Sequence, residues 1–295
     1  MSSFASWTRY IRLFRPKQWV KNSFVLTPLL FSGYFHPLPI SKALFATLLF
    51  SLASSSVYIF NDIIDRHSDA LHPQKSHTRP IAAGQISVRQ ASYLLAITLG
   101  LLFTAGLRQL SVLTVIGIYL LLNLAYSLRL KRVPVVDIFI ISSGFVLRVY
   151  AGAVALDAPV SPWMFITTLS LALFLAAIKR RQELLDTGSE TRAVLNRYTQ
   201  TLIENYALMA ATSTLVFYSL FVVSTRQELM ITIPFVMFGI FRYWYIVVVD
   251  GQGESPTDVL FSDLPLQLTL LGWTIGCVIV IWPSQLSAVI AAELY

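Results

Sequence analysis

Apolar residues run along this chain in blocks of about twenty, each closed by a short polar connection. In α-helical form, at about 1.5 Å per residue, a block of that length crosses the hydrocarbon core of a bilayer, about 30 Å thick. Nine such blocks are legible, approximately 19–35, 43–63, 88–107, 110–128, 134–155, 161–181, 202–224, 228–249 and 264–284. The first is short. No linker, low-complexity tract or internal repeat separates them. Residues 1–295 therefore read as a single integral membrane domain, an all-α polytopic bundle of nine transmembrane helices.

Composition agrees with the pattern. Of 295 residues, 56% are hydrophobic and 13% charged, and the mean hydropathy is +0.67. The charged fraction is about half that of a soluble domain, which excludes a soluble protein. The one cysteine, Cys277, lies inside an apolar run, so no intrachain disulfide forms and no Cys/His zinc spacing is present. The N-terminal "MSSFASWTRYIRLFRPKQWVKN" is basic and aromatic, without the clean apolar core of a cleaved signal peptide.

The formal charge of +7 changes the picture through its distribution. The cations sit at helix ends and in alternate connections, which points to membrane topology and not to nucleic acid. Arg9, Arg12, Arg15, Lys17 and Lys21 precede or open the first block. Arg66, Lys75 and Arg79 follow the second, Arg129, Lys131 and Arg132 the fourth, and Lys179, Arg180, Arg181, Arg192 and Arg197 the sixth. The other side has only Lys42, Arg108 and Arg226. The asymmetry puts the N-terminus in the cytoplasm and, with nine spans, the C-terminus outside. The longer polar connections, 64–87, 182–201 and 250–263, then face the cytoplasm, where the chemistry is expected.

One of them opens with "NDIIDRHSD", residues 61–69. If the second helix continues through it, Asp62, Asp65 and Asp69 stand at i, i+3 and i+7 on one face, with Asn61 beside Asp65. Like charges stacked this way repel unless a cation neutralises them. Oxygen ligands without His or Cys suit Mg²⁺, which bridges to substrate phosphates. The opposing reading is a solvated acidic helix end. Lys75 and Arg79 follow closely; they either hold phosphate oxygens that Mg²⁺ leaves exposed or serve topology alone. His67, His72 and His77 lack a transition-metal spacing and read as polar loop residues.

Arg148 lies mid-span in "SSGFVLRVYAG". An arginine at that depth needs a partner or a polar cavity. It either contacts an anionic substrate or pairs with an acid, Asp137 being a distant candidate. Arg242 raises the same question beside Tyr243, Trp244 and Tyr245. Lys17, Lys21, Tyr126, Lys131, Lys179 and Arg180 close or open spans on the aspartate face. Each alone is an ordinary membrane anchor; together they outline a cationic rim suited to substrates with several phosphates.

These residues resemble the UbiA superfamily of intramembrane prenyltransferases, whose NDxxDxxxD signature "NDIIDRHSD" matches and whose nine-span fold agrees. Within it the chain is most similar to the phosphoribosyl branch, the decaprenyl-phosphate phosphoribosyltransferases. The stretches that carry this likeness include "LFRPKQWVKN", "HPQKSHTRPIAAGQIS", "YSLRLKRVPVVDIFIISSGFVLRVYAGAVA", "FLAAIKRRQELL" and "DGQGESPTDVLFSD". Aromatic prenyltransferases of the superfamily carry a second DxxxD motif; here that region offers Glu183, Asp186 and Glu190, which agrees with the phosphoribosyl branch. The resemblance implies Mg²⁺-dependent transfer of phosphoribosyl from phosphoribosyl diphosphate to a polyprenyl phosphate, at the cytoplasmic face of the inner membrane. Asp62, Asp65 and Asp69 would hold the metal and Asn61 would orient a ligand. Lys17, Lys21, Lys75, Arg79, Tyr126, Lys131, Arg148, Lys179 and Arg180 would bind substrate, and the isoprenoid tail would lie in an apolar groove. Two other readings stay open: prenyl transfer to an aromatic acceptor, and a lipid-phosphate transporter or flippase.

Overall fold

The computed structural model describes residues 4–71, 75–187, 194–251 and 256–293. Among the described residues every regular element is helical. In chain order these are α1 (Phe4–Phe14), a 3-10 helix (Pro16–Leu26), α2 (Thr27–Ser32), α3 (Pro37–Ile64), α4 (Arg66–Leu71) and α5 (Lys75–Thr78). Then follow α6 (Val88–Gly106), α7 (Leu110–Leu128), α8 (Val136–Ala155), α9 (Pro162–Thr187), α10 (Gln200–Thr225), α11 (Ile233–Val249), α12 (Pro256–Ser262) and α13 (Leu264–Glu293).

Among the described residues eight segments are long and apolar enough to cross a membrane: α3, α6, α7, α8, Pro162–Leu185 of α9, α10, Gln227–Val249 and Leu264–Trp282. The chain is a multi-pass membrane protein. These segments correspond to eight of the nine apolar blocks. The share of each span buried inside the protein orders them: 61% for α3 and α8 against 17% for α6 and 11% for Leu264–Trp282. Helices α3 and α8 are thus the inner pair, and the outermost spans turn most of their surface to lipid.

The block expected as a first span, 19–35, is not one α-helix. It begins as an eleven-residue 3-10 helix, a long run for that geometry, and passes into the six-residue α2. Tertiary contacts hold it. Asn22 Nδ2 donates to Ser51 Oγ at 3.0 Å and Ser54 Oγ at 3.3 Å, and Trp19 Nε1 donates to Ser55 Oγ at 3.0 Å. Ser55 Oγ in turn donates to the Phe14 carbonyl at 3.1 Å. On the other side a Cβ placed on Gly152 of α8 would lie 1.9 Å from the Val25 carbonyl oxygen. Small residues on α3 and α8 therefore admit the segment between the inner pair, and hydroxyls satisfy polar groups that lipid would leave bare.

Candidate active site

The aspartate cluster straddles a helix break, which corrects the expectation of one continuous helix through 61–69. Helix α3 ends at Ile64, Asp65 is its C-cap, and α4 restarts at Arg66. Turn-to-turn hydrogen bonding survives: the Asp65 amide donates to the Asn61 carbonyl and the Asp69 amide to the Asp65 carbonyl, each at 2.8 Å. An unbroken helix would stack three carboxylates on one another. The break relieves this by giving the acids different surroundings. Asp65 accepts from Lys131 Nζ at 2.7 Å. Asp62, 2% exposed, accepts from both Arg15 Nη2 and Arg79 Nη1 through the single oxygen Oδ1. Its other oxygen, Oδ2, is buried and has no hydrogen-bond partner among the described residues. Asp69 is buried. Asn61 Oδ1 accepts from Ser127 Oγ on α7.

Arg15 reaches Asp62 from an unusual backbone. It caps the 3-10 helix at φ 50°, ψ 61°, a left-handed conformation uncommon outside glycine. Its guanidinium also lies 4.8 Å from the centre of the Tyr58 ring, one turn before Asp62. Lys17 is exposed and Lys21 half-buried. Lys21 is in electrostatic range of Lys179, Arg148, Arg15 and Asp258. Lys179 Nζ stands 3.9 Å from Glu183 Oε1. The structure thus brings Arg15, Lys21, Arg148 and Lys179 into one electrostatic neighbourhood, and Lys131 and Arg79 onto the aspartates. The side chains of Lys75 and Asp186, and all of His72 and Glu190, fall outside what is described. His67 and His77 are exposed.

Arg148, Arg180 and Arg181 are buried, and Arg181 Nε donates to Glu204 Oε1 at 2.6 Å. Arg148 Nε donates to Asn22 Oδ1 at 2.8 Å and Nη1 to the Gly144 carbonyl at 2.8 Å. Its guanidinium lies among the rings of Phe50, Tyr119 and Phe145. It faces the protein interior and no carboxylate pairs with it among the described residues. Arg180, 1% exposed, donates from Nε to Asp137 Oδ2 at 2.7 Å, from Nη1 to Glu183 and from Nη2 to Tyr126 OH at 2.9 Å. Asp137, fully buried, also accepts from Tyr198 OH at 2.8 Å. Burial and this carboxylate hold the Tyr198 phenol above its ordinary pKa. Asp137 is therefore the partner of Arg180, not of Arg148. Arg242 pairs with Asp263, Nη2 to Oδ2 at 2.7 Å, and holds that carboxyl below its ordinary pKa. Asp263 also caps the start of α13 by accepting from the Leu266 amide at 2.8 Å.

Among the described residues no three His, Cys, Asp or Glu side chains converge on one metal position. The donor set nevertheless fits a hard divalent cation: it is all oxygen, and the buried Asp62 Oδ2, which has no hydrogen-bond partner among the described residues, is available as a ligand.

Residues 23–283 match the UbiA prenyltransferase family. The chain belongs to the UbiA family. It is 36% identical to the decaprenyl-phosphate phosphoribosyltransferase of Corynebacterium glutamicum over 92% of this chain and 86% of the relative. It is 35% identical to the enzyme of the same name from Mycobacterium tuberculosis, over 91% and 93% respectively. Its fold is that of a UbiA homolog from Archaeoglobus fulgidus bound to DMAPP and Mg²⁺, with a TM-score of 0.71 at 20% identity over 92% of this chain and 99% of that one.

Beside the polar site this UbiA-family chain holds an apolar cavity of about 710 Å³. It lies between α2, α9, α10, α11 and α13, and Ser23, Phe35, Pro256 and Leu260 are among its lining residues. Trp273, Phe174 and Phe221 line its walls. The roles of Asn22, Ser127 and Tyr198 had escaped sequence reasoning. Asn22 and Ser127 carried a usable signal, since an amide or hydroxyl within an apolar block must find a partner in the fold. Tyr198 carried none.

Proposed function

We propose that this protein transfers 5-phosphoribosyl from phosphoribosyl diphosphate to a polyprenyl phosphate, giving polyprenyl-phosphoryl-5-phosphoribose and diphosphate. Similarity over nine-tenths of the chain to phosphoribosyltransferases carries the reading. The buried aspartate with its cationic surround supports it.

Asp62, Asp65 and Asp69 are the residues that would hold Mg²⁺, with Asn61 orienting a ligand. The ion, when bound, supplies charge stabilisation to the leaving diphosphate. Arg79 and Lys75 hold diphosphate oxygens, adding fixed positive charge where negative charge grows as the bond to ribose C1 breaks. The lipid phosphate is already an anion near neutral pH, since its second pKa is about 6, so it needs positioning more than a general base. Lys17, Lys21, Lys131 and Lys179 offer separate contacts for the remaining phosphates. Arg148 adds charge behind Lys21 and holds Asn22. Arg180 acts on the rim indirectly, by orienting Tyr126 and Glu183. The apolar cavity takes the isoprenoid tail.

We read residues 1–295 as one domain with nine crossings. The eleven-residue 3-10 helix at about 2.0 Å per residue and the six residues of α2 at about 1.5 Å together reach about 31 Å, enough for the crossing that precedes α3. The N-terminus is then cytoplasmic, the C-terminus outside, and the site faces the cytoplasm of the inner membrane. The test is incubation of detergent-solubilised protein with labelled phosphoribosyl diphosphate, a polyprenyl phosphate and Mg²⁺, followed by lipid extraction. Label in the lipid phase is expected. Consumption of a prenyl diphosphate with an aromatic acceptor instead would favour prenyl transfer, and no turnover of either would favour a transporter.

A further inference from the structure

Asp62 is held by two arginines on one oxygen while its other oxygen, buried, has no partner among the described residues. Lys131 holds Asp65. Among the described side chains Arg15 and Arg79 bond Asp62 and Lys131 bonds Asp65, so cations already meet the carboxylates of the cluster. The described residues thus leave no excess negative charge on Asp62 and Asp65, and Lys21 and Lys179 lie in the electrostatic neighbourhood of Arg15. A bare divalent cation gains little from a site with no excess negative charge. A diphosphate that arrives with the cation brings the missing anionic charge and offers the arginines new acceptors.

We propose that Arg15 and Arg79 are exchangeable counter-ions, which leave Asp62 for diphosphate oxygens and so make the site take up its metal only together with diphosphate. This rests on the reading above that places a divalent metal at Asp62. The geometry suits an exchange. The two arginine side chains are only 22% and 24% exposed, so they lie at the edge of the site with limited freedom, whereas Asp62 beneath them is shut from water. Both donate to Oδ1, leaving Oδ2 as the atom a metal would use first. While bonded to Asp62 the Arg15 guanidinium also lies over the Tyr58 ring, 4.8 Å from its centre, a contact that would keep it beside the site after it releases the carboxylate. From its left-handed position at the start of the 3-10 helix Arg15 reaches across to Asp62 on α3. Arg15 is thereby assigned as a diphosphate ligand in addition to Arg79.

The test uses the full-length protein in detergent, with Mn²⁺ as a spectroscopic probe and inorganic diphosphate as the anion, so no phosphoribosyl donor is involved. Wild type should bind Mn²⁺ weakly alone and bind diphosphate and Mn²⁺ cooperatively. Arg15→Met and Arg79→Met should each tighten binding of Mn²⁺ alone by about tenfold, within the usual range of coupling between sites, and weaken the enhancement by diphosphate. Arg15→Lys, which keeps the charge, should stay within about threefold of wild type. Asp62→Asn separates the two ways of failing. Equal Mn²⁺ binding by wild type and Asp62→Asn would overturn the metal placement and this proposal with it. Loss of binding in Asp62→Asn, with no gain in either correctly folded methionine variant, would overturn the exchange alone.

Discussion

Replacing Arg180 by alanine should unfold the protein more readily instead of simply weakening a substrate. The side chain is 1% exposed and its three donor nitrogens go to Asp137, Glu183 and Tyr126. Truncation leaves Asp137, fully buried, with Tyr198 as its remaining side-chain donor. Breaking a buried pair by removing one partner costs about 3–5 kcal/mol, because the other charge stays in a poor solvent. At about 2 °C per kcal/mol, the lower sensitivity expected of a large chain, the apparent Tm should fall by about 6–10 °C. Adding Asp137→Asn to Arg180→Ala should recover part of the loss, since a neutral amide strands no charge. Arg180→Lys should fall between, having one point charge where the fork made three bonds. Thermal scans monitored by size-exclusion fluorescence measure all three. An Arg180→Ala protein that unfolds within about 1 °C of wild type, while raising KM for one phosphorylated substrate, would refute the reasoning and return Arg180 to the rim.

Asp62→Asn and Asp65→Asn should each lower turnover on the order of a thousandfold at matched expression, read by the lipid-extraction assay, because a ligand charge is lost where negative charge develops. Lys21→Ala and Lys179→Ala should raise KM for a phosphorylated substrate more than they change the metal requirement, whereas a purely topological role would alter only insertion or yield. Gly152→Ala places a Cβ 1.9 Å from the Val25 carbonyl oxygen and must push the 3-10 helix away from α8. It should destabilise by about 1–3 kcal/mol, seen as a lower apparent Tm, and impair turnover through the displaced Arg15, Lys21 and Asn22.

Eight of the nine apolar blocks correspond to span-length helices among the described residues because a span is written in contiguous residues. Apolar length alone decides it, and lipid imposes the helix. The aspartate signature was legible for the same reason: Asn61, Asp62, Asp65 and Asp69 lie within nine residues. What local pattern could not show was settled by distant partners. The 3-10 conformation of Pro16–Leu26 depends on Ser51, Ser54, Ser55 and Gly152, none of them local. Asp65, where the helix breaks, is paired with Lys131, sixty-six positions on. Arg180 read as one more cation of "KRRQE" until Asp137, forty-three positions earlier, was found beneath it. Arg148 was flagged by depth, yet its contact is the amide of Asn22, in a segment whose shape was itself unforeseen.

Polar groups set into apolar spans separate into two kinds here, and the difference bears on function. Ser51, Ser54, Asn22, Asp137, Arg148 and Arg180 are buried and hydrogen-bonded to other protein groups, so their partners are internal. Asp62 Oδ2 and the Tyr243 hydroxyl are buried without a partner among the described residues. An unpaired buried polar atom costs about 1–3 kcal/mol, more when charged, and a fold keeps one only where something else supplies the contact. The two lie in different places: Asp62 within the aspartate cluster, Tyr243 in the wall of the apolar cavity. One is an acceptor beside cations and suits a metal. The other is a donor among rings and aliphatic side chains, where the double bonds of the proposed isoprenoid tail would be its acceptors. The Oε1 atoms of Gln109 and Gln182 also accept no hydrogen bond among the described residues; of the four atoms, Asp62 Oδ2 and the Tyr243 hydroxyl are the two that the proposed substrate would meet, the first at its charged head and the second at its unsaturated tail.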